Sequence, residues 1–230
     1  MAAHFSPAAV KFLRGLKRNN DREWFNARKD IYEAELKAPM LAVIAEVNQG
    51  LLDFSPTHVR APEKSLMRIY RDIRFSKNKL PYKNNLAAWW ARQGLEKTSG
   101  GGFYFEINTT SLTIAAGVYM PEREQLLAIR RMLLDRHQEF TSITHAKKLL
   151  ALMQPFDGLR MTRGPKGFPP DHPAIDLIMQ RQWGVSATLP VEAALEPGLV
   201  KKILERFKVA EPMVTLLNQP LIERPKKPLF

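Results

Sequence analysis

Arg68, Arg71, Arg74, Lys77, Lys79 and Lys83 fall within one short stretch, Arg68 to Asn84, against a single acid, Asp72. A guanidinium is planar and presents its donors as a fork, so it suits bidentate contact with a carboxylate or a phosphate. These residue types therefore point to an anion site. The opposing reading is structural: Asp72 pairs with Arg68, Arg71 or Arg74, and the lysines are merely solvated. Read as a strand, Leu66 to Phe75 divides by parity. Met67, Ile69, Ile73 and Phe75 point one way, with Arg71 the odd member among them, and Arg68, Tyr70, Asp72 and Arg74 point the other. A basic turn over Ser76 to Lys79 follows, and Pro81 ends the strand because it has no N–H for a ladder. Tyr82 and Lys83 close the stretch.

A second carboxylate and a second phenol come from Tyr104 and Glu106, which alternate with Phe103, Phe105 and Ile107. On a shared sheet face, Asp72 and Glu106 would form a pair able to act as acid, base or metal ligand in hydrolysis or phosphoryl transfer. A carboxylate ringed by arginines has its pKa driven down, which suits an orienting role better than a general base. Arg163 and Lys166, the latter between Pro165 and Gly167, form another exposed basic turn. Trp89 and Trp90 beside the basic stretch could stack on bases, although such pairs more often sit at a core edge.

Several chemistries lack their signatures. The chain has no cysteine, hence no disulfide, thiolate nucleophile or cysteine zinc site. His4, His58, His137, His145 and His172 form no His-Glu-x-x-His pattern, so no metal site is indicated. There is no Gly-x-Ser-x-Gly elbow, and the Gly100 to Gly102 triplet lacks the companions of a phosphate loop. The cofactor stays open, and no helix-turn-helix, zinc-finger or RNA-recognition signature is visible.

The 230 residues are ample for a core, and 45% hydrophobic with 25% charged content is ordinary for a globular chain. The net charge of +12 is not ordinary and favours an anionic partner, either a small molecule or nucleic acid. No apolar run approaches the length of a membrane span, and the start lacks a signal-peptide pattern, so a cytoplasmic chain without membrane partners is expected.

Ser6 and Pro7 predict a helix start, with Phe12, Leu13 and Leu16 on its apolar side. Asn20 and Glu23 resemble the capping box of a second helix, and Pro39 predicts the start of a third. Asn84 and Asn85 predict the cap of a helix through Leu86, Trp89 and Trp90. Phe103 to Asn108 and Leu112 to Tyr119 predict a hairpin around Thr109 and Thr110. Helices are expected after Pro121, from Thr141 to Met153, after Pro173, and from Pro197 to Leu217, with a short strand over Leu159 to Arg163. The expectation is a single α+β domain over 1–222, with a mainly antiparallel sheet of about four to six strands packed with helices. A basic, proline-rich tail is expected over 223–230.

Long motifs in order carry a resemblance. They are Phe12-Leu-x-x-Leu16 with Asn19 to Phe25, Arg68 to Lys83, Gly117-Val-Tyr-Met-Pro121 with Ile129-Arg130, and Arg163-Gly-Pro-Lys-Gly-Phe168. Over roughly Phe5 to Leu221 the chain resembles the bacterial and fungal family labelled domain of unknown function 2461. The label implies no chemistry. The resemblance implies that the central stretch, its basic loop and the Pro-Lys-Gly turn belong together.

Three functions stay open. One is a binding module for a phosphate-bearing or other anionic ligand, a nucleotide or nucleic acid. In it Arg68, Arg74, Lys79 and Lys83 hold phosphates, Tyr70 and Tyr104 position the ligand, and Asp72 orients the arginines. The second is a hydrolase or transferase using Asp72 and Glu106 on such a ligand. The third is a structural or interaction protein whose cluster is a buried ion-pair network.

Overall fold

The computed structural model describes residues 3–95, 100–156 and 158–222, so the expected tail at 223–230 lies outside the described residues. Helix α1 spans Pro7–Arg18, with the Ala9 N–H donating to Ser6 Oγ at 3.4 Å and Lys17 and Arg18 in its last turn. Cations at that end complement the carbonyl pole of the helix. Helix α2 (Arg22–Asn26) is capped by Asp21, which accepts the Trp24 N–H at 2.8 Å. The expected Asn20 cap is therefore displaced by one residue. Helix α3 (Lys29–Tyr32) runs through a widened turn, Glu33–Lys37, into α4 (Ala38–Leu51), with Pro39 in the first turn of α4 as expected. A short helix α5 (Pro62–Ser65) follows.

Strands β1 (Leu86–Ala91), β2 (Gly102–Ile107) and β3 (Ser111–Val118) come next. Then follow α6 (Arg123–Thr144), α7 (Lys147–Leu150), β4 (Gln154–Pro155), α8 (Ile175–Ile178), β5 (Trp183–Pro190) and α9 (Leu199–Ile222). The five strands form one mainly antiparallel sheet in the order β1-β2-β3-β5-β4, and the fold is α+β as expected. The β2–β3 hairpin falls where the alternation put it. Asn108 fixes its turn, its Oδ1 accepting the Thr110 and Ser111 N–H groups at 2.9 Å each.

Five expected elements differ. Leu86 to Ala91 is a strand, because its residues are buried on both faces and a continuous apolar run carries no period to separate strand from helix. The run after Pro173 gives one turn, α8, and then β5, whose β-branched Val185 and Thr188 favour extended backbone. Thr141 to Met153 is divided, with α6 continuing to Thr144 and α7 starting at Lys147. The expected strands at Leu66 to Phe75 and Leu159 to Arg163 are reduced to isolated bridges, Leu66 with Ala88, Tyr70 with Tyr82 and Arg160 with Gln180.

The chain divides into two compact units. One comprises Met1–Trp90, Tyr104–Ile114 and Thr188–Glu205. Its core holds Phe5, Leu13, Phe25, Ile44 and Trp90, and the Trp90 indole N–H donates to Asn48 Oδ1 at 3.0 Å. The other comprises Ala91–Phe103, Ala115–Ala187 and Arg206–Phe230. In it Phe103 packs on Phe207, and Arg130, 3% exposed, donates to the carbonyls of Ile178 at 2.7 Å and Gln180 at 3.2 Å. No helix of the described residues is long and apolar enough to cross a membrane.

Candidate functional site

The stretch after α5 leaves β1 almost at once. The Met67 N–H donates to the Ala87 carbonyl at 2.9 Å, and the chain then loops out and returns. The loop is closed at its base by Arg71 N–H to the Pro81 carbonyl at 2.9 Å and Lys83 N–H to the Ile69 carbonyl at 2.8 Å. Beyond that base its own side chains satisfy its backbone. Asp72 Oδ1 accepts the Arg74 N–H at 3.2 Å, Lys79 Nζ donates to the Ile73 carbonyl at 2.9 Å, and Asn78 Oδ1 accepts the Leu80 N–H at 3.0 Å. Short polar side chains that bond nearby backbone compete with a ladder, which is why no strand forms.

Asn20 anchors the returning limb. Its amide Nδ2 donates to the Tyr82 carbonyl at 3.1 Å and to Asn84 Oδ1 at 3.0 Å, and its Oδ1 accepts the Tyr82 N–H at 3.0 Å. This clamp brings α2 against the loop. Phe25 stacks on Tyr82 with centroids 4.1 Å apart, and Tyr70 tilts against both rings. The result is a hollow of about 350 Å³ lined by Arg22, Asn26, Tyr70, Arg71, Ile73, Pro81 and Tyr82.

No acid lines this hollow. Among the described residues neither Arg22 nor Arg71 forms an ion pair. Arg71 donates only to neutral groups, the Leu80 carbonyl at 3.0 Å and Ser76 Oγ at 3.5 Å. Asp21, beside Arg22, is turned to the N-terminus of α2. Burial pushes the Tyr82 phenol above its usual value, with further upward pushes from Tyr70 and from the nearby Asp21 carboxylate, while Arg22 pulls it down. Tyr82 therefore stays protonated at neutral pH. The lining offers two guanidinium forks, an amide and two phenols around a void of small-molecule size.

The other expected residues are disposed differently. Arg74 is committed to Asp72, with Nη2 to Oδ2 at 2.8 Å and Nε to Oδ1 at 3.0 Å. Those hydrogen bonds hold the Asp72 carboxyl down at about 2. The pair is exposed, so it adds little stability. Lys79 is committed to loop carbonyls, and Lys77 is exposed. Lys83 is half-buried, and its pKa is lowered by burial and by Arg68 while Glu106 raises it, so these three form a separate electrostatic group. Glu106 accepts the Tyr104 hydroxyl at 2.5 Å and the Asn108 amide at 3.4 Å. Asp72 and Glu106 thus hold different partners. Arg163 and Lys166 are exposed in the other unit.

The expected parity fails at Phe75. Phe75, expected toward the core, is 95% exposed, and Arg71, the odd member of the core-facing set, is half-buried in the wall of the hollow. The possible stacking pair also changes character. Trp90 is fully buried and Trp89 packs beside Tyr104. Arg22 and Asn26 were not among the candidate residues. The signal that could have found Arg22 is its motif, Asn19 to Phe25, which stands beside the basic stretch in the family resemblance; Asn26 directly follows that motif. Among the described residues no group of three or more potential acidic, histidine or cysteine ligands assembles for a metal.

A family model described as Conserved hypothetical protein (DUF2461) matches residues 8–216. No curated protein matches the chain.

Proposed function

We propose, for a chain that belongs to the DUF2461 family and whose family description names no reaction, that it binds a phosphate-bearing small anion in the hollow between α2 and the Arg68 to Asn84 loop. The observation that carries this reading is a pair of cations in one wall with no ion-pair partner. Arg22 and Arg71 line one void, no carboxylate lines it, and neither is ion-paired among the described residues. Charge-assisted forks of this kind suit phosphate oxygens. The Tyr82 and Tyr70 hydroxyls and the Asn26 amide supply neutral donors, and the ring faces suit the flat or apolar part of a ligand. The loop is held by its own hydrogen bonds, so little ordering entropy stands against binding. A cytoplasmic setting, as expected from the sequence, would supply such ligands.

Titration calorimetry with pyrophosphate tests this. Saturable binding should weaken as the Debye length shrinks from about 30 Å to about 8 Å with added salt. No binding at low salt, or binding indifferent to salt, would remove the reading.

A further inference from the structure

We infer that the hollow is one end of a track for single-stranded nucleic acid, in which the Arg22–Arg71 hollow takes a phosphate and Phe75 stacks on a neighbouring base. The inference rests on the anion-binding reading of the hollow and names its partner class. Phe75 is 95% exposed, more than any other large hydrophobic side chain among the described residues. Slack backbone does not account for this. Hydrogen bonds hold the loop around it: the Arg74–Asp72 pair precedes it, and Lys79, four residues after it, reaches back to the Ile73 carbonyl. The loop therefore presents a ring to solvent.

The surroundings of that ring select the partner. The Arg74 guanidinium lies 5.8 Å from its centroid, and Lys77 is exposed two residues on. Ile73, two residues before Phe75, is part of the wall of the hollow. Two residues of extended chain reach at most about 7 Å, so the backbone that carries the ring lies close to the wall of the hollow. An aromatic face beside a guanidinium already paired with Asp72 and near the exposed Lys77, next to a phosphate-sized void, matches the way single strands are held, by backbone charge and sequence-tolerant stacking. A bilayer fits less well. The neighbours of Phe75 are Arg74, Ser76, Lys77 and Asn78, and one phenyl ring inserts less apolar area than the single acyl chain that already anchors only marginally. Duplex fits less well too, because its bases are already stacked inside.

Fluorescence anisotropy with a labelled oligothymidylate, run beside pyrophosphate calorimetry, tests the inference. Phe75→Ala should weaken oligothymidylate binding by about tenfold or more and leave pyrophosphate binding unchanged, and Phe75→Trp should keep the strand bound. Arg22→Ala should weaken both ligands. If the wild-type chain binds pyrophosphate but not oligothymidylate, or if Phe75→Ala binds the strand like the wild type, this inference alone falls. Equal affinity for a duplex of the same length also overturns it. So does a Phe75→Ala defect confined to vesicles of phosphatidylserine and phosphatidylcholine. If the wild-type chain does not bind pyrophosphate, the hollow reading falls and takes this one with it.

Discussion

Arg71→Met should weaken pyrophosphate binding by roughly 10- to 150-fold, while Arg74→Met should leave it within about twofold. The two arginines are three residues apart in one basic loop, yet their charges are used differently. The Arg74 fork is closed on Asp72, with two side-chain hydrogen bonds of 3.0 and 2.8 Å. Arg71 faces the hollow and spends its donors on a carbonyl and a hydroxyl, so its positive charge has no countercharge there. A hydrogen bond to a charged group contributes about 1.5–3 kcal/mol, and that is the loss expected at Arg71. Stability should barely move in either variant. The Leu80 carbonyl released by Arg71→Met belongs to an exposed residue that water can reach, and an exposed ion pair such as Asp72–Arg74 contributes little. Calorimetry paired with thermal melts separates these effects. Equal losses in the two variants would mean that affinity follows the diffuse charge of the loop and not the hollow.

Gly117→Ala should destabilise the unit that contains it by roughly 3–5 kcal/mol. Gly117 has φ +138°, a conformation that side-chain-bearing residues rarely adopt. A Cβ there would lie 2.2 Å from the Trp183 carbonyl oxygen and 2.5 Å from Gly184 Cα. Gly184 on the neighbouring strand is equally tight, since a Cβ on it would meet Phe156 Cε2 at 2.4 Å and the Ala116 carbonyl oxygen at 2.5 Å. The obstructing atoms on the Gly117 side are backbone, so no rotamer change relieves them. At a urea slope of about 2–3 kcal/mol/M, the midpoint should fall by roughly 1–2.5 M. A fall below about 0.3 M at unchanged slope would mean that β3 and β5 can separate at little cost.

The parts of the fold that could be read from the sequence are those whose signal is local. Ser6 and Pro7 start α1, Pro39 lies in the first turn of α4, and the alternation of Phe103, Phe105 and Ile107 against Tyr104, Glu106 and Asn108 gives the hairpin. The failures have different causes. Leu86 to Ala91 is buried on both faces, so the period that distinguishes strand from helix is missing. Leu66 to Phe75 has an apparent period, but Asp72, Asn78 and Lys79 satisfy the loop backbone locally, and the strand that the pattern implies does not form. Phe75, read as core, is therefore free to be the exposed tip of the loop.

The candidate site was half legible for the same reason. Tyr70, Arg71 and Tyr82 belong to the basic stretch and were named from it. Arg22 and Asn26 come from a helix some fifty residues earlier, positioned by the side chain of Asn20 clamping the backbone of Tyr82. Hydrogen bonds across that separation leave no trace in periodicity or composition. The expectation that Arg68, Arg74, Lys79 and Lys83 hold the phosphates rests on charge, fork geometry and the assumed strand parity. Charge cannot tell an arginine that faces a void from one already bound to an aspartate.

The position of a bound anion tests the central claim most directly. In crystals soaked in tungstate, an electron-dense phosphate mimic, the anomalous signal should peak in the hollow within hydrogen-bonding reach of both the Arg22 and Arg71 guanidinium groups. A peak elsewhere with that hollow empty, or Arg22 and Arg71 folded onto carboxylates of their own chain, would contradict it.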